Sequence, residues 1–220
     1  MPTLAIVLRG ISYLENAASV SRSASVDYKL CLENFKTNLI EPLKTKFEKI
    51  DIFLNTYYSK ELVNIIKAYN PLDMLIKPES SIKPIDQNFV AKNIAESLDL
   101  CLKYNHDYIL QTRFDLYYYR KLDMEKVDLN KINFGWVGEN GQCDDSWVLF
   151  PRKQAEIAAA VCSGRKGDIP CTHYVNRYFS NNECNYISRP LDPYNNYHFP
   201  DFYIFQRVLD DYKSGKLKVY

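Results

Sequence analysis

Two short charged clusters stand where apolar runs end. Arg113-Phe114-Asp115 follows the run Tyr108-Ile109-Leu110, and Asp144-Asp145 comes just before Trp147-Val148-Leu149-Phe150. In open α/β sheets ligands settle beyond the carboxyl ends of the strands, so an acid placed there is positioned to meet a metal or a phosphate. Arg9-Gly10 and Thr56-Tyr57 close two further apolar runs, Leu4 to Leu8 and Ile50 to Leu54. If these runs are strands of one sheet, all four groups face one crevice. Carboxylates beside arginines describe a site for a divalent cation bridged to a diphosphate. Hard cations such as Mg²⁺ or Mn²⁺ take oxygen ligands, and guanidinium groups neutralise phosphate by forked hydrogen bonds. The competing explanation is a strand-end salt pair at Arg113 and Asp115 and a solvated acidic turn at Asp144 and Asp145.

The elements that must hold these groups follow from the apolar patterning. Leu4 to Leu8 is a continuous apolar run of strand length, which suits a strand covered on both faces. Ile11 to Ser25, with Arg22 in it, reads as a long loop at the ligand end. Val26, Leu30, Phe35, Leu39 and Ile40 predict a helical face, with a further turn starting at Pro42. Ile50 to Leu54 is the second strand. Ser59 is a fair N-cap for a helix from Lys60 to Tyr69, which Asn70-Pro71 breaks. Leu72 to Ile76 predicts a third strand, Ile85 to Lys103 a long helix, and Tyr108 to Leu110 the fourth strand.

Strand and helix thus alternate up to the fourth strand, which predicts a mixed, mostly parallel central sheet flanked by helices on both faces. The pattern then changes. Asn133 to Val137 and Ser146 to Phe150 read as strands around a loop, Gly138 to Asp145, and Pro151 begins a helix that Ser163-Gly164 ends. Beyond Gly167 the chain is irregular until a helix expected near Phe202 to Leu209. One domain, 1–220, is expected, with a regular nucleotide-binding half at 1–120 and a less regular half at 121–220 for donor sugar and acceptor.

Composition narrows the partners. Twenty-eight Lys and Arg against 27 acids leave a net charge of +1, so no chain-wide basic field exists to hold nucleic acid. Six cysteines show no Cys-x-x-Cys pair and no zinc-like spacing. No run is long enough to span a bilayer and no signal-like leader is seen, so free thiols in the cytoplasm are expected. Eighteen Tyr and 11 Phe are mostly core and interface residues, although Tyr also suits hydroxyl-rich ligands.

The ordered segments Ala5 to Gly10, Ile50 to Tyr57, Tyr69-Asn70-Pro71, Tyr108 to Leu116 and Asp145 to Phe150 together resemble small nucleotide-sugar glycosyltransferases of the GT-A fold. More narrowly, the chain is similar to the capsid-glycan glycosyltransferase domains of chlorella viruses and to bacterial polysaccharide transferases. The resemblance covers about residues 4–150. It implies a GT-A-like, Rossmann-like α/β fold and a UDP-sugar donor held by Mn²⁺ or Mg²⁺ on an Asp-x-Asp motif after the fourth strand. It further implies transfer of a hexose or deoxyhexose to a glycan or glycoprotein acceptor, with retention the favoured course. In a virus the location would be the host cytoplasm.

This chain departs from the motif, because its first Asp position is Arg113 and only Asp115 matches. The site expected on the resemblance has Asp115 and His198 on the metal, and Arg9, Gly10, Arg22, Thr56, Tyr57 and Arg113 on the nucleotide. Asp144 or Asp145 would contact the donor sugar or the incoming hydroxyl, and either could be a second metal ligand. His198 has a packed Tyr-rich corner as its competing explanation, and His106 and His173 have less to commend them. Two other functions stay open. One is a sugar-nucleotide pyrophosphorylase, disfavoured because only Gly10 follows the first strand where a Gly-rich loop is needed. The other is a nucleotide- or glycan-binding module with weak or lost catalysis.

Overall fold

The computed structural model describes residues 1–14, 26–82, 87–138, 141–166, 171–188 and 200–216. Arg22 and His198 lie outside the described residues, as do Tyr194 and Tyr197 beside the latter. In chain order the strands are β1 (Thr3–Arg9), β2 (Tyr13–Leu14), β3 (Val26–Asp27), β4 (Lys49–Tyr57), β5 (Asp73–Lys77), β6 (Tyr108–Arg113), β7 (Leu116–Tyr118), β8 (Ile132–Trp136), β9 (Val148–Pro151), β10 (Cys184–Ser188) and β11 (Tyr203–Phe205). The α-helices are α1 (Lys29–Asn34), α2 (Glu41–Leu43), α3 (Leu62–Tyr69), α4 (Gln87–Leu102), α5 (Arg152–Cys162) and α6 (Leu209–Lys213). A π-helical segment, Phe35–Ile40, joins α1 to α2.

Seven strands form one sheet in the order β10-β8-β9-β6-β1-β4-β5. The β1·β4, β4·β5, β1·β6 and β8·β10 pairs are parallel, and β9 runs antiparallel to both of its neighbours. This is the mixed, mostly parallel α/β sheet expected from the sequence. Residues 4–9 of β1 are buried, as a strand covered on both faces requires. Alternation along β1 sends Ala5 and Val7 to one core with α4 and α5, and Leu4, Ile6 and Leu8 to the other with Phe35, Leu39, Leu43 and Ile65. Each large apolar side chain so buried contributes roughly 1.5–3 kcal/mol, which is why β1 can stand at the centre without a polar partner.

The direction of strand order reverses at β1. The chain goes from β1 outward to β4 and β5, then returns to place β6 on the other side of β1. The crevice at the carboxyl ends of β1 and β6 is therefore the topological switch point, the place where such sheets take ligands. Because β9 is antiparallel to β6, with Gln111 opposite Val148, the residues just before β9 arrive at this same rim.

Several sequence expectations are corrected. Ser59 does not cap α3 with its side chain: the N-cap is Glu61, and Ser59 only accepts the backbone N–H of Leu62. The helix expected at Phe202 to Leu209 is instead β11, a 3-10 turn at Gln206–Val208 and the start of α6, because Tyr203 to Phe205 pair with β7. The seventh strand, β10, was not anticipated. Its mixed composition, Cys-Asn-Tyr-Ile-Ser, gives no clean alternation because it lies at the sheet edge. β6 runs on through Gln111 and Thr112 to Arg113, since both buried polar side chains find partners: Gln111 donates to the Asp145 carbonyl, and Thr112 bonds the Tyr118 hydroxyl at 2.6 Å.

Candidate active site

Arg9 and Arg113 end adjacent parallel strands and are register partners, so two guanidinium groups leave the sheet at one point. Arg9 is buried, with 5% of its surface exposed, and it donates to the Asp145 carbonyl while its Nε finds no partner. Burial lowers its pKa to about 10, with the Arg113 charge adding to the effect and Asp145 opposing it. A cation so poorly compensated inside a protein is a standing demand for an anion.

Arg113 is tied to Asp115 by a forked pair, Nε to Oδ1 at 2.8 Å and Nη2 to Oδ2 at 2.7 Å. Burial works against both charges, but each partner outweighs it for the other: the Asp115 carboxylate raises Arg113, and the guanidinium holds Asp115 below the usual carboxylate range. The Arg113 guanidinium also stands over the Phe205 ring at 4.9 Å, and that of Arg207 stands over the same ring at 4.2 Å. The Gln206 N–H bonds the Asp115 carbonyl, which fixes the β11 end against this turn.

The two neighbouring acids are in unlike states. Asp144 is 1% exposed; its Oδ1 accepts the Ser146 N–H at 2.8 Å and its Oδ2 faces the Tyr203 hydroxyl. Burial pushes its pKa up to about 7, with Tyr203 and Ser146 opposing. Residue 135 must be glycine here, because a β-carbon would sit on the Asp144 carboxylate. Asp145 is held below the usual carboxylate range. Burial opposes this, but the nearby His173, then Arg9, outweigh it, along with a 2.6 Å bond from the Thr172 hydroxyl. The His173 Nδ1 lies 3.9 Å from Asp145 Oδ1. Asp145 is therefore held as a carboxylate by Thr172, His173 and Arg9, whereas Asp144 is enclosed by Ser146 and Tyr203.

Among the other expected residues, Gly10 takes the left-handed conformation, φ 96°, and its N–H bonds the Asn55 carbonyl. Thr56 spends its hydroxyl on the Gly10 carbonyl at 2.8 Å and on Ser12 at 2.9 Å, so it shapes the loop after β1. Tyr57 is buried, its hydroxyl has no partner, and burial raises its pKa to about 12. The Lys77 ammonium stands over its ring at 5.7 Å. Beside them a cavity of about 220 Å³ is lined by Lys77, Ser81, Phe89, Lys92, Asn93 and Glu96. His106 belongs to the opposite, amino-terminal rim, where it pairs with Asp51 at 2.8 Å. Sequence reasoning undervalued His173 and missed Thr172, Tyr203, Phe205 and Arg207, all in the irregular half where no periodicity marks them.

Of the two expected metal ligands, His198 lies outside the described residues and Asp115 is paired with Arg113. Both Asp115 oxygens are taken by Arg113, Asp144 is buried with both oxygens engaged, and no group of three His, Cys, Asp or Glu side chains is placed to hold a cation among the described residues.

No family model and no curated protein matches the chain. Among solved structures it is similar to a protein assigned as a nucleotide-diphospho-sugar transferase from Desulfovibrio desulfuricans G20, at 10% identity and a TM-score of 0.47, covering 84% of this chain and 80% of that one. It is also similar to a glycosyltransferase involved in the glycosylation of the major capsid of PBCV-1, at 10% identity and a TM-score of 0.46, covering 88% and 85%.

Proposed function

We propose that this chain is a glycosyltransferase that takes a nucleotide-diphosphate sugar as donor. The observation that carries the reading is the pair of guanidiniums, Arg9 and Arg113, in register at the switch point, with Arg9 bonded to the Asp145 carbonyl and both near enough to help hold the Asp145 side chain ionised. A cationic cradle next to one ionised acid suits a donor whose leaving group is a diphosphate and whose sugar hydroxyls need an acceptor. The resemblance of the segments around Arg9 and Asp115 favours UDP, a hexose or deoxyhexose, and a hydroxyl of a glycan or glycoprotein, a viral capsid glycan being one such acceptor. The cavity next to Tyr57 and Lys77 is where we place the base. We assign the protein to the cytoplasm, a reading supported by six free thiols, five of them buried. No helix of the described residues is long and apolar enough to cross a membrane.

In the reaction the acceptor oxygen bonds the sugar's anomeric carbon as the bond from that carbon to the β-phosphate oxygen breaks. The electron pair leaves with the diphosphate, whose growing charge Arg9 and Arg113 stabilise. Asp145, with its pKa held low, is a poor proton acceptor near neutral pH, so the acceptor's proton passes to the departing phosphate and Asp145 orients sugar hydroxyls. That division of labour favours retention.

A second reading, a nucleotide- or glycan-binding module, is favoured by Arg113 occupying the motif's first position and neutralising Asp115. A thermal-shift panel of UDP, GDP and CMP, followed by donor hydrolysis and product stereochemistry, tests both. Turnover lost in Asp145→Asn with the fold kept supports the transferase. Nucleotide binding without turnover in the wild type supports the module, and no binding at all removes both.

A further inference from the structure

We propose that arginines replace the divalent cation in this site: Arg113 and Arg207, both packed on the ring of Phe205, together with buried Arg9 neutralise the donor diphosphate without a metal. This rests on the glycosyltransferase reading and names how its donor is held.

Three independent features lead there. Arg113 stands at the strand end where a metal-holding acid was expected, and its fork occupies both oxygens of the acid that remains. A carboxylate engaged in this way has spent one lone pair of each oxygen on the guanidinium, and a cation brought to it would compete with a charge already paired there. Next, three cations gather around two carboxylates held ionised, Asp115 and Asp145. Arg9 and Arg113 are register partners, and Arg207 reaches the same turn from β11 and lies close enough to Asp115 to help keep it ionised. Finally, Arg9 Nε is buried without a partner at this rim, an orphan donor that a phosphate oxygen would satisfy.

The arrangement also gives Asp115 a role. It is a positioning residue that holds the Arg113 guanidinium by two bonds beside the Phe205 ring, so the guanidinium meets the ligand with its orientation already fixed. Planar groups held by stacking lose little freedom on binding an anion, which is the condition for tight forked contact with a diphosphate. Arg113 keeps 29% of its side-chain surface exposed, so the cradle is open to a ligand although it is lined by buried charge.

The test is calorimetry of the purified full chain with UDP and UMP, in excess EDTA and in excess Mn²⁺. The wild type is expected to bind UDP in EDTA with a Kd within about threefold of that in Mn²⁺. Arg207→Gln is expected to weaken UDP about tenfold while changing UMP less than UDP, because the loss falls on the second phosphate. Arg113→Gln alone would strand Asp115, so the double variant Arg113→Gln with Asp115→Asn removes the pair together. It is expected to bind UDP at least about tenfold more weakly in either buffer. UDP binding that vanishes in EDTA and returns with Mn²⁺ overturns the proposal and leaves the transferase reading standing, as does unchanged UDP affinity in both variants. If neither UDP nor GDP nor CMP binds in either buffer, the transferase reading itself falls.

Discussion

The two rims of the sheet carry similar residue types and treat them differently. At the amino-terminal rim Asp51 is bracketed by Lys49 and His106, each at 2.8 Å, and Lys49 keeps 61% of its side chain exposed. Asp107 accepts both the N–H and the hydroxyl of Thr3, and Arg152 donates to the carbonyls of Leu102, Tyr104 and His106. Those groups tie strand and helix ends together, with His106 itself buried. At the carboxyl rim, buried Arg9 stands in register with part-exposed Arg113, Arg9 Nε is an orphan, and one of two adjacent acids is pushed up to about 7 while the other is held low. The orphan alone does not separate the rims, since His106 Nδ1 at the amino rim is also buried without a partner; the adjacent arginines and the opposite shifts of two neighbouring acids do, and they mark the carboxyl rim as the candidate site.

The contrast is broken most severely by changing Arg9 and Asp145. Asp145→Asn is expected to lower donor turnover by on the order of a hundredfold, with circular dichroism unchanged; wild-type rates would demote it to a structural residue. Gly135→Ala forces a methyl group onto Asp144 and is expected to cost about 1–3 kcal/mol in denaturant unfolding, with full stability refuting the claim that these groups collide.

Much of this contrast could be read from the chain before any coordinates. Apolar runs marked β1, β4 and β6, continuous in β1 and broken only by Asp51 in β4, and the polar or charged residues that ended them marked the ligand rim. What could not be read came from tertiary pairing. The antiparallel entry of β9 turns Asp144 inward under Tyr203 and Asp145 outward beside Thr172, and no local pattern distinguishes one acid of a pair from the next. Arg207 and Phe205 arrive through a three-residue strand whose partner lies nearly ninety residues earlier, so their helix-like spacing misled.

Asp144 gives the contrast a pH signature. An unfolded Asp titrates near 3.8 and this one near 7, so between about pH 4 and 7 the folded chain keeps a proton that the unfolded chain has lost. Its contribution to stability falls as pH rises through that window, by at most about 1.4 kcal/mol per pH unit, and is level above it. Asp144→Asn is expected to remove this slope, so that its advantage over the wild type grows up to about pH 7; parallel curves would contradict the burial argument. Asp115 and Asp145, both held low, act in the opposite sense and only in acid, where their contribution disappears as pH falls through the lowered values.

The smallest effect belongs to the control rim. Lys49→Ala removes an exposed partner of Asp51 and is expected to shift stability by no more than about 0.5 kcal/mol, with nucleotide binding untouched.

Soaking a crystal of the protein with UDP tests the central claim most directly. The two phosphates are expected between Arg9 and Arg113 at the carboxyl ends of β1 and β6, with Arg207 on the outer phosphate. A nucleotide seated at the amino rim, or at the carboxyl rim with its phosphates turned away from both arginines, would contradict it.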